Sequence, residues 1–165
     1  MSLVALVDPT RNPIELISPF NWDSIPVKET TVAPAVGADF TLTVPAGKKW
    51  LFYGWRGVLV TDANVANRTV LVDIAPDGTA QIANAVFAQA QAATQTHIYY
   101  FIPSTSPTEL YIGAYGRHWV GCGLGQPIEL PAGATIIVTI NNKQAGDDWG
   151  NGASVVSYFY KEAPG

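Results

Sequence analysis

Apolar and polar residues alternate strictly along much of the chain from residue 39 onwards. The period is clearest in residues 39–44, 69–74 and 134–140, where every second side chain is apolar. Alternation of this kind is typical of a β-strand that buries one face. About eight strands are expected, at the spacing of a sandwich, and the predicted strands cover residues 39–44, 50–60, 69–74, 79–93, 95–102, 109–115, 127–130, 134–140 and 154–161.

Two corners of similar sequence separate predicted strands. The Pro-Ala-Gly sequence occurs at residues 45–47 and again at residues 131–133, each time between two apolar runs. Proline sets φ for a turn and glycine allows a positive φ, so each corner reverses the chain compactly. Two such corners in a chain of short strands predict an all-β fold, a jelly-roll-like antiparallel β-sandwich.

Two predicted strands are ambiguous in detail. Residues 50–60 are apolar on both faces, and Gly54 and Gly57 are candidates for bulges that switch the buried face. Residues 79–93 fit helical spacing and strand alternation about equally well. We favour a strand there, because an isolated helix between sheet strands is less economical.

Residues 1–36 differ from the rest of the chain. Prolines recur there at intervals of four to eight residues from Pro9 to Pro34, which excludes a helix and a central strand. We therefore divide the chain into an extended arm, 1–36, and a sandwich domain, 37–165. The arm wraps its own domain as edge strands, docks on a neighbouring subunit, or is disordered. Its candidate partner-binding residues are apolar anchors: Ile14, Leu16, Ile17, Phe20, Trp22 and Ile25.

Charge and hydropathy exclude several functions. Charged residues make up 13% of the chain, the net charge is −4, and Lys48-Lys49 is the longest cationic run. Nucleic-acid binding needs clustered Lys and Arg, so it is not expected. No apolar run is long enough for a membrane helix and no secretory signal is recognised, so neither a membrane partner nor secretion is expected. Folding in a cytoplasm is predicted.

The titratable residues do not form a recognisable catalytic set. A single cysteine, Cys122, excludes an intramolecular disulfide, and the only histidines are His97 and His118. Two histidines cannot supply the ligands of a metal-dependent cupin. His97 shares its parity with apolar strand neighbours and is predicted to be packed. Nucleophile-elbow, P-loop and dinucleotide motifs are absent from the sequence, so we expect neither enzymatic activity nor a cofactor.

Two glycine-rich or polar stretches lie between predicted strands: residues 116–125 are predicted to be a loop or a bulged corner, and residues 141–152 are predicted to be a loop. The second contains adjacent carboxylates and a tryptophan, a combination that can bind Ca²⁺ or stack on a sugar ring. A solvated turn is the simpler interpretation. The candidate ligand contacts in these two loops are His118, Trp119, Asp147, Asp148 and Trp149. Aromatic residues concentrated outside strands also suggest an interface.

One part of the sequence resembles a known class of proteins. Residues 40–50 (FTLTVPAGKKW) followed by residues 58–74 (VLVTDANVANRTVLVDI) combine a corner, a long strand, a loop ending in Asn-Arg and another strand. This pattern is similar to small virion proteins of tailed bacteriophages. The resemblance implies a jelly-roll structural protein of a phage particle, often a trimer. The matched positions form the fold, so no functional residue is transferred.

Three hypotheses follow for function. The first is a decoration (cement) protein, made in the host cytoplasm, that binds the major capsid protein on the outside of the head as a homotrimer. Its arm and apolar sheet faces would contact neighbouring subunits. The second is a receptor- or glycan-binding knob of a head or tail fibre, using Trp119 and Trp149. The third, a carbohydrate-binding or cupin-like enzyme domain, is disfavoured by the missing histidines.

Overall fold

The computed structural model describes residues 22–76, 83–103, 109–121, 127–150 and 156–165. These residues form twelve strands and two short 3₁₀ turns, at Trp22–Ser24 and Gly113–Tyr115. The strands are β1 (Lys28–Val32), β2 (Phe40–Thr43), β3 (Lys48–Val60), β4 (Arg68–Ala75), β5 (Ala83–Gln91), β6 (Thr96–Phe101), β7 (Glu109–Ile112), β8 (Arg117–Val120), β9 (Ile128–Leu130), β10 (Thr135–Asn141), β11 (Asp148–Trp149) and β12 (Val156–Pro164).

The strands form two sheets. The larger sheet has the order β1-β12-β3-β6-β8-β7, and β9 and β11 also pair with β3; the smaller sheet has the order β2-β10-β4-β5. All pairings are antiparallel except that of β6 with β8. The prediction of an all-β sandwich is therefore confirmed, with more strands than the eight expected because several are only two to five residues long.

The strand order is that of a jelly roll. The four-stranded set β1-β12-β3-β6 faces the set β2-β10-β4-β5, and the chain passes between them as two Greek keys. The remaining strands, β7, β8, β9 and β11, lie in the connections on either side of β10 and extend the larger sheet. This extension widens one sheet of the sandwich and leaves the other at four strands.

The two Pro-Ala-Gly corners lie beside each other. Because β2 pairs with β10, Gly133 donates to the carbonyl of Val44, and Val44 donates to that of Ala134. Gly47 and Gly133 have φ values of +68° and +82°, which is why glycine ends each corner. The two sequences are similar because they form the same kind of turn, side by side, at one end of the sandwich.

Strand β3 contains the bulge suggested by its glycines. Trp50 and Phe52 face the core, and after Gly54 the buried positions shift by one residue to Trp55 and Leu59. The register with β12 shifts at the same point. Gly54 has a φ of +138°, and a Cβ there would collide with the carbonyl oxygen of Phe101. A side chain is therefore excluded at this position.

Aromatic side chains fill the space between the sheets. Trp55 lies 5.5 Å from Phe40 and 5.8 Å from Trp149, edge to face in both cases. Phe87 of the smaller sheet meets Tyr99 of the larger at 4.9 Å. Edge-to-face pairs add to the free energy of area burial, which makes this cluster the centre of the core.

The interpretation of the sequence was correct for the described part of residues 79–93 and wrong for part of residues 116–125. In the described part of residues 79–93, Ala83–Gln91 is a strand, as favoured. The loop predicted at residues 116–125 is wrong at Arg117–Val120, which forms β8. Four residues give too few alternations to stand out beside glycines, and their pairing with β6 and β7 is decided only when the sheet forms.

The described part of the arm lies on the sandwich. Strand β1 pairs with β12 at the edge of the larger sheet. The division at residue 36 therefore leaves one strand of the sandwich within the range assigned to the arm. Ile14, Leu16, Ile17 and Phe20 lie outside the described residues. Among the residues that the structure describes, no helix has the length and apolarity to cross a bilayer.

Candidate functional site

The outer face of the larger sheet carries a row of flat side chains. Cross-strand pairing aligns Arg56 of β3, Tyr100 of β6, Trp119 of β8 and Leu110 of β7. The Arg56 guanidinium lies 5.9 Å from the centre of the Tyr100 ring. Tyr100 and Trp119 stack with centroids 4.9 Å apart and planes 6° from parallel. Leu110 is 56% exposed, so the row is open to solvent at its apolar end.

A groove of about 300 Å³ lies beside this row, at the bulge of β3. Gly54 forms part of its lining, and since no side chain fits there, the bulge leaves the space empty. Ile102, at 40% exposure, is the most open aliphatic residue of the lining. The whole lining is mostly aromatic and consists of Tyr53, Gly54, Trp55, Arg56, Tyr100, Phe101, Ile102 and Phe159.

The same face carries charged side chains of both signs. Nine Lys and Arg residues occur in the sequence, and Arg11 is the one outside the described residues. Of the eight described, four occupy outward positions of the larger sheet: Lys49, Arg56, Arg117 and Lys161. The other four are within 4.0 Å of a carboxylate. Carboxylates share this face, because Glu29, Glu129 and Asp148 also occupy outward positions of the larger sheet. Aromatic side chains with charges of both signs around them therefore distinguish this surface among the described residues.

Two of the predicted arm anchors touch this face or its edge. Trp22 is partly buried, its ring lies 5.7 Å from the Lys49 ammonium, and its carbonyl accepts a 3.0 Å hydrogen bond from Lys161. Lys161 in turn lies over the ring of Tyr53, which lines the groove. Ile25 is partly buried and donates to the Trp22 carbonyl. These anchors bind their own chain.

The described part of the predicted ligand loop, residues 141–150, is not an open site. Trp149 forms β11 and is only 2% exposed, packed against Phe40 and Trp55. Asp148 is partly buried in the same short strand. The prediction of a solvated loop is wrong here, because pairing with β3 turns the tryptophan into the core. A sugar ring cannot reach it.

Asp147 is buried in an ion pair that the sequence did not reveal. Its carboxylate accepts two hydrogen bonds from Arg68, at 2.9 and 3.0 Å, and both side chains are fully buried. Asp62 contacts the same guanidinium. Burial alone would raise the pKa of Asp147, but hydrogen bonds from Arg68 and from the Gln144 and Asp62 amides lower it below its usual value. The cluster of Arg68, Asp147 and Asp62 links the two sheets, and it does not form an open binding site.

His118 is also buried, not exposed in a loop. Its Nε2 lies 2.9 Å from Nδ1 of His97, and its ring stacks between Tyr99 and Tyr111 at 4.5 Å each. Burial, with a smaller contribution from His97, lowers the pKa of His118 to about 4. Burial likewise lowers the pKa of His97. Both histidines are therefore neutral at pH 7, and the prediction that His97 is packed is confirmed.

The five predicted loop contacts are thus separated. Trp119 and the partly buried Asp148 occupy outward positions of the larger sheet, whereas His118, Asp147 and Trp149 are buried. In the part of the chain that the structure describes, no group of three or more His, Cys, Asp or Glu residues could hold a metal ion. The residues of the outer face could have been found from alternation in residues 95–102, where Ile98, Tyr100 and Ile102 have the parity opposite to the buried Tyr99.

Comparison with known proteins adds no relative. No protein-family model, no curated protein and no solved structure matches this chain.

Proposed function

We propose that this chain is a non-enzymatic structural protein of a phage particle, a decoration protein that binds the outside of the capsid. The observation that carries the proposal is the row of aromatic side chains, with Arg56 beside it, on the outer face of the larger sheet. Protein interfaces are enriched in Tyr, Trp, Phe and Arg, and the Arg56–Tyr100–Trp119 row combines three of these types with an exposed leucine. The resemblance of residues 40–74 to phage virion proteins supports the particle assignment.

The contact with the capsid is assigned to this face. Trp22 and β1 bind the chain's own larger sheet, so the described arm adds to the face instead of forming a separate anchor. The cations of the face suit an acidic or carbonyl-rich capsid surface, because a guanidinium stacked on an aromatic ring still donates in its plane. Assembly as a homotrimer around a capsid symmetry axis remains part of the proposal.

Co-sedimentation with empty capsids assembled from the major capsid protein of the same virus tests the proposal. The unmodified chain should sediment with the particles, and Trp119→Ala and Arg56→Glu should each weaken binding by about tenfold or more, as expected for interface anchors. Val65→Ala, at a side chain that is 97% exposed in the β3–β4 loop, is the matched control and should bind normally. Absence of binding by the unmodified chain would contradict the proposal.

A second function, a glycan-binding knob, is favoured by one observation. The stacked Tyr100–Trp119 pair is partly exposed, and aromatic rings of this kind can stack on a sugar. The other predicted contacts are buried, so a sugar would lack the acidic partners that were expected from residues 147 and 148. Glycan-array binding that is lost in Trp119→Ala, with capsid co-sedimentation absent, would favour the knob.

A further inference from the structure

We propose that residues 14–20 of the chain bind in the groove at the β3 bulge of the same molecule. Their sequence is Ile-Glu-Leu-Ile-Ser-Pro-Phe, with four apolar side chains and one carboxylate. The groove is mostly aromatic and has Arg56 in its lining. The proposal assigns an occupant to a concave apolar site on the outer face.

The first argument for this occupant is the position of Trp22, the residue at which the described chain begins. Trp22 already lies on the outer face, where its carbonyl accepts from Lys161 at 3.0 Å. The Lys161 ammonium lies 5.9 Å from the Tyr53 ring, and Tyr53 lines the groove. One residue, Asn21, separates Trp22 from Phe20. Seven extended residues span about 23 Å, so residues 14–20 can reach the groove and cross it.

Chemical complementarity carries the second step. Apolar side chains from residues 14–20 would cover Ile102, which is exposed, and the partly exposed rings of Tyr53, Tyr100 and Phe159. Glu15 is the only charged residue in the segment, and its sign is opposite to that of Arg56 and of the neighbouring Lys161. A segment tethered beside a groove binds at a high effective concentration, which favours the same molecule over a second copy.

The occupied groove leaves the rest of the face open. Trp119 and Leu110 lie on β8 and β7, outside the groove lining. The segment and the stacked row would then form one continuous surface for a partner. Docking does not require a capsid, so this inference and the proposed function can fail separately.

Crosslinking of the isolated full-length protein tests the inference. Cysteines are introduced at Ile17 and Ile102 in a Cys122→Ser background, and a short bis-maleimide is added. The expected product is an internally crosslinked monomer, identified by peptide mass, at a yield at least tenfold above that of the control pair Ile17→Cys with Val65→Cys. Both Ile102 and Val65 are exposed, so neither substitution disturbs the core.

Two results would overturn the inference. A crosslinked dimer in place of the monomer would mean that the segment binds a second copy. A yield equal to that of the Val65 control would mean that the segment does not bind the groove.

Charge reversal gives an independent readout in the same chain. Glu15→Lys should reduce the crosslinking yield about two- to fivefold, the range expected for a surface ion pair. Adding Arg56→Glu to that variant should restore the yield. A yield that neither reversal changes would remove Glu15 from the contact and contradict the complementarity argument.

Discussion

The two sheets of this sandwich differ in what they present to solvent. The outer face of the larger sheet carries a stacked tyrosine and tryptophan, a groove and four cations. The outward positions of the smaller sheet carry threonines, Asp73, Asn84 and a few aliphatic residues such as Leu71 and Val86, and none of its described strands has an outward aromatic or cationic side chain. Strand alternation gives every sheet an outer face, but only one of these faces has interface chemistry.

The largest expected effect is on the tie between the two sheets. Arg68→Met should lower the free energy of unfolding by about 3–5 kcal/mol, because the Asp147 carboxylate would remain buried without its guanidinium partner and would keep only backbone amide donors. Arg68 begins β4 of the smaller sheet, and Asp147 precedes β11 of the larger. Urea unfolding at pH 7 measures the loss. Lys143→Met, which breaks the more exposed pair with Asp39, should cost less than about 1 kcal/mol.

Lowering the pH should change the stability of the unmodified protein and of Arg68→Met in opposite directions. The pKa of Asp147 is lower in the folded state than in the unfolded chain, so its contribution is complete above the unfolded pKa and is lost as pH falls towards the folded pKa. In Arg68→Met the protonated form of Asp147 is favoured, so this site should gain stability as pH falls through 5. If the unmodified protein and Arg68→Met lost stability in parallel as the pH falls, the pairing of Arg68 with Asp147 would be contradicted.

The next effect concerns the bulge that shapes the larger face. Gly54→Ala should cost about 3 kcal/mol, because a φ of +138° and the collision with the Phe101 carbonyl both oppose a side chain. Gly47→Ala is the matched control, since it has a positive φ but no atom within 4 Å of a new Cβ. It should cost about 1–2 kcal/mol. Thermal or urea unfolding compares them, and equal losses would mean that the close contact is relieved at no cost.

A smaller effect concerns the inner face of the larger sheet, where a buried histidine makes stability depend on pH. His118, on the inner face of the larger sheet, has a pKa of about 4 against 6.5 in the unfolded chain, so it binds fewer protons when folded. Stability should therefore fall by about 2 kcal/mol between pH 7 and pH 5 through this group alone. His118→Phe keeps a ring between the tyrosines and should remove most of that loss.

The groups around His118 decide which other titrations can contribute to this measurement. His97 on β6 and Tyr111 on β7 contact its ring, and Tyr99 stacks on the other side. Glu109, also on β7, contributes charge near Tyr99. Burial raises the pKa of Tyr99, so Tyr99 stays neutral between pH 5 and pH 7, and His97 is the second base that contacts His118. An unchanged pH dependence in His118→Phe would mean that His118 is not the group responsible.

The smallest effect on stability compares the two outer faces directly. Trp119→Ala should cost about 1 kcal/mol through the lost stack on Tyr100, and Val86→Ala on the smaller sheet should stay within about 0.5 kcal/mol. Capsid binding should fall about tenfold in the first variant and stay unchanged in the second. Equal effects on binding would remove the distinction between the faces.

Local rules account for much of the fold. Alternation located most strands, the proline-glycine corners located the turns, and Gly54 located the bulge, because each depends on residues that are neighbours in sequence. Strand β8 was missed because four residues beside glycines show little alternation, and their pairing with β6 and β7 is decided only in the folded sheet. Trp149 was misplaced for the same reason, since pairing of β11 with β3 decides which way it points.

The sequence by itself determined the architecture: an acidic chain of short alternating strands that closes as a two-sheet sandwich. Only the tertiary structure decided which polar groups meet, because Arg68 and Asp147, or His97 and His118, come together through contacts between strands far apart in the chain. It likewise decided which aromatic residues stay outside. Alternation tells which residues share a face, but whether that face is covered depends on the sheets packed against it.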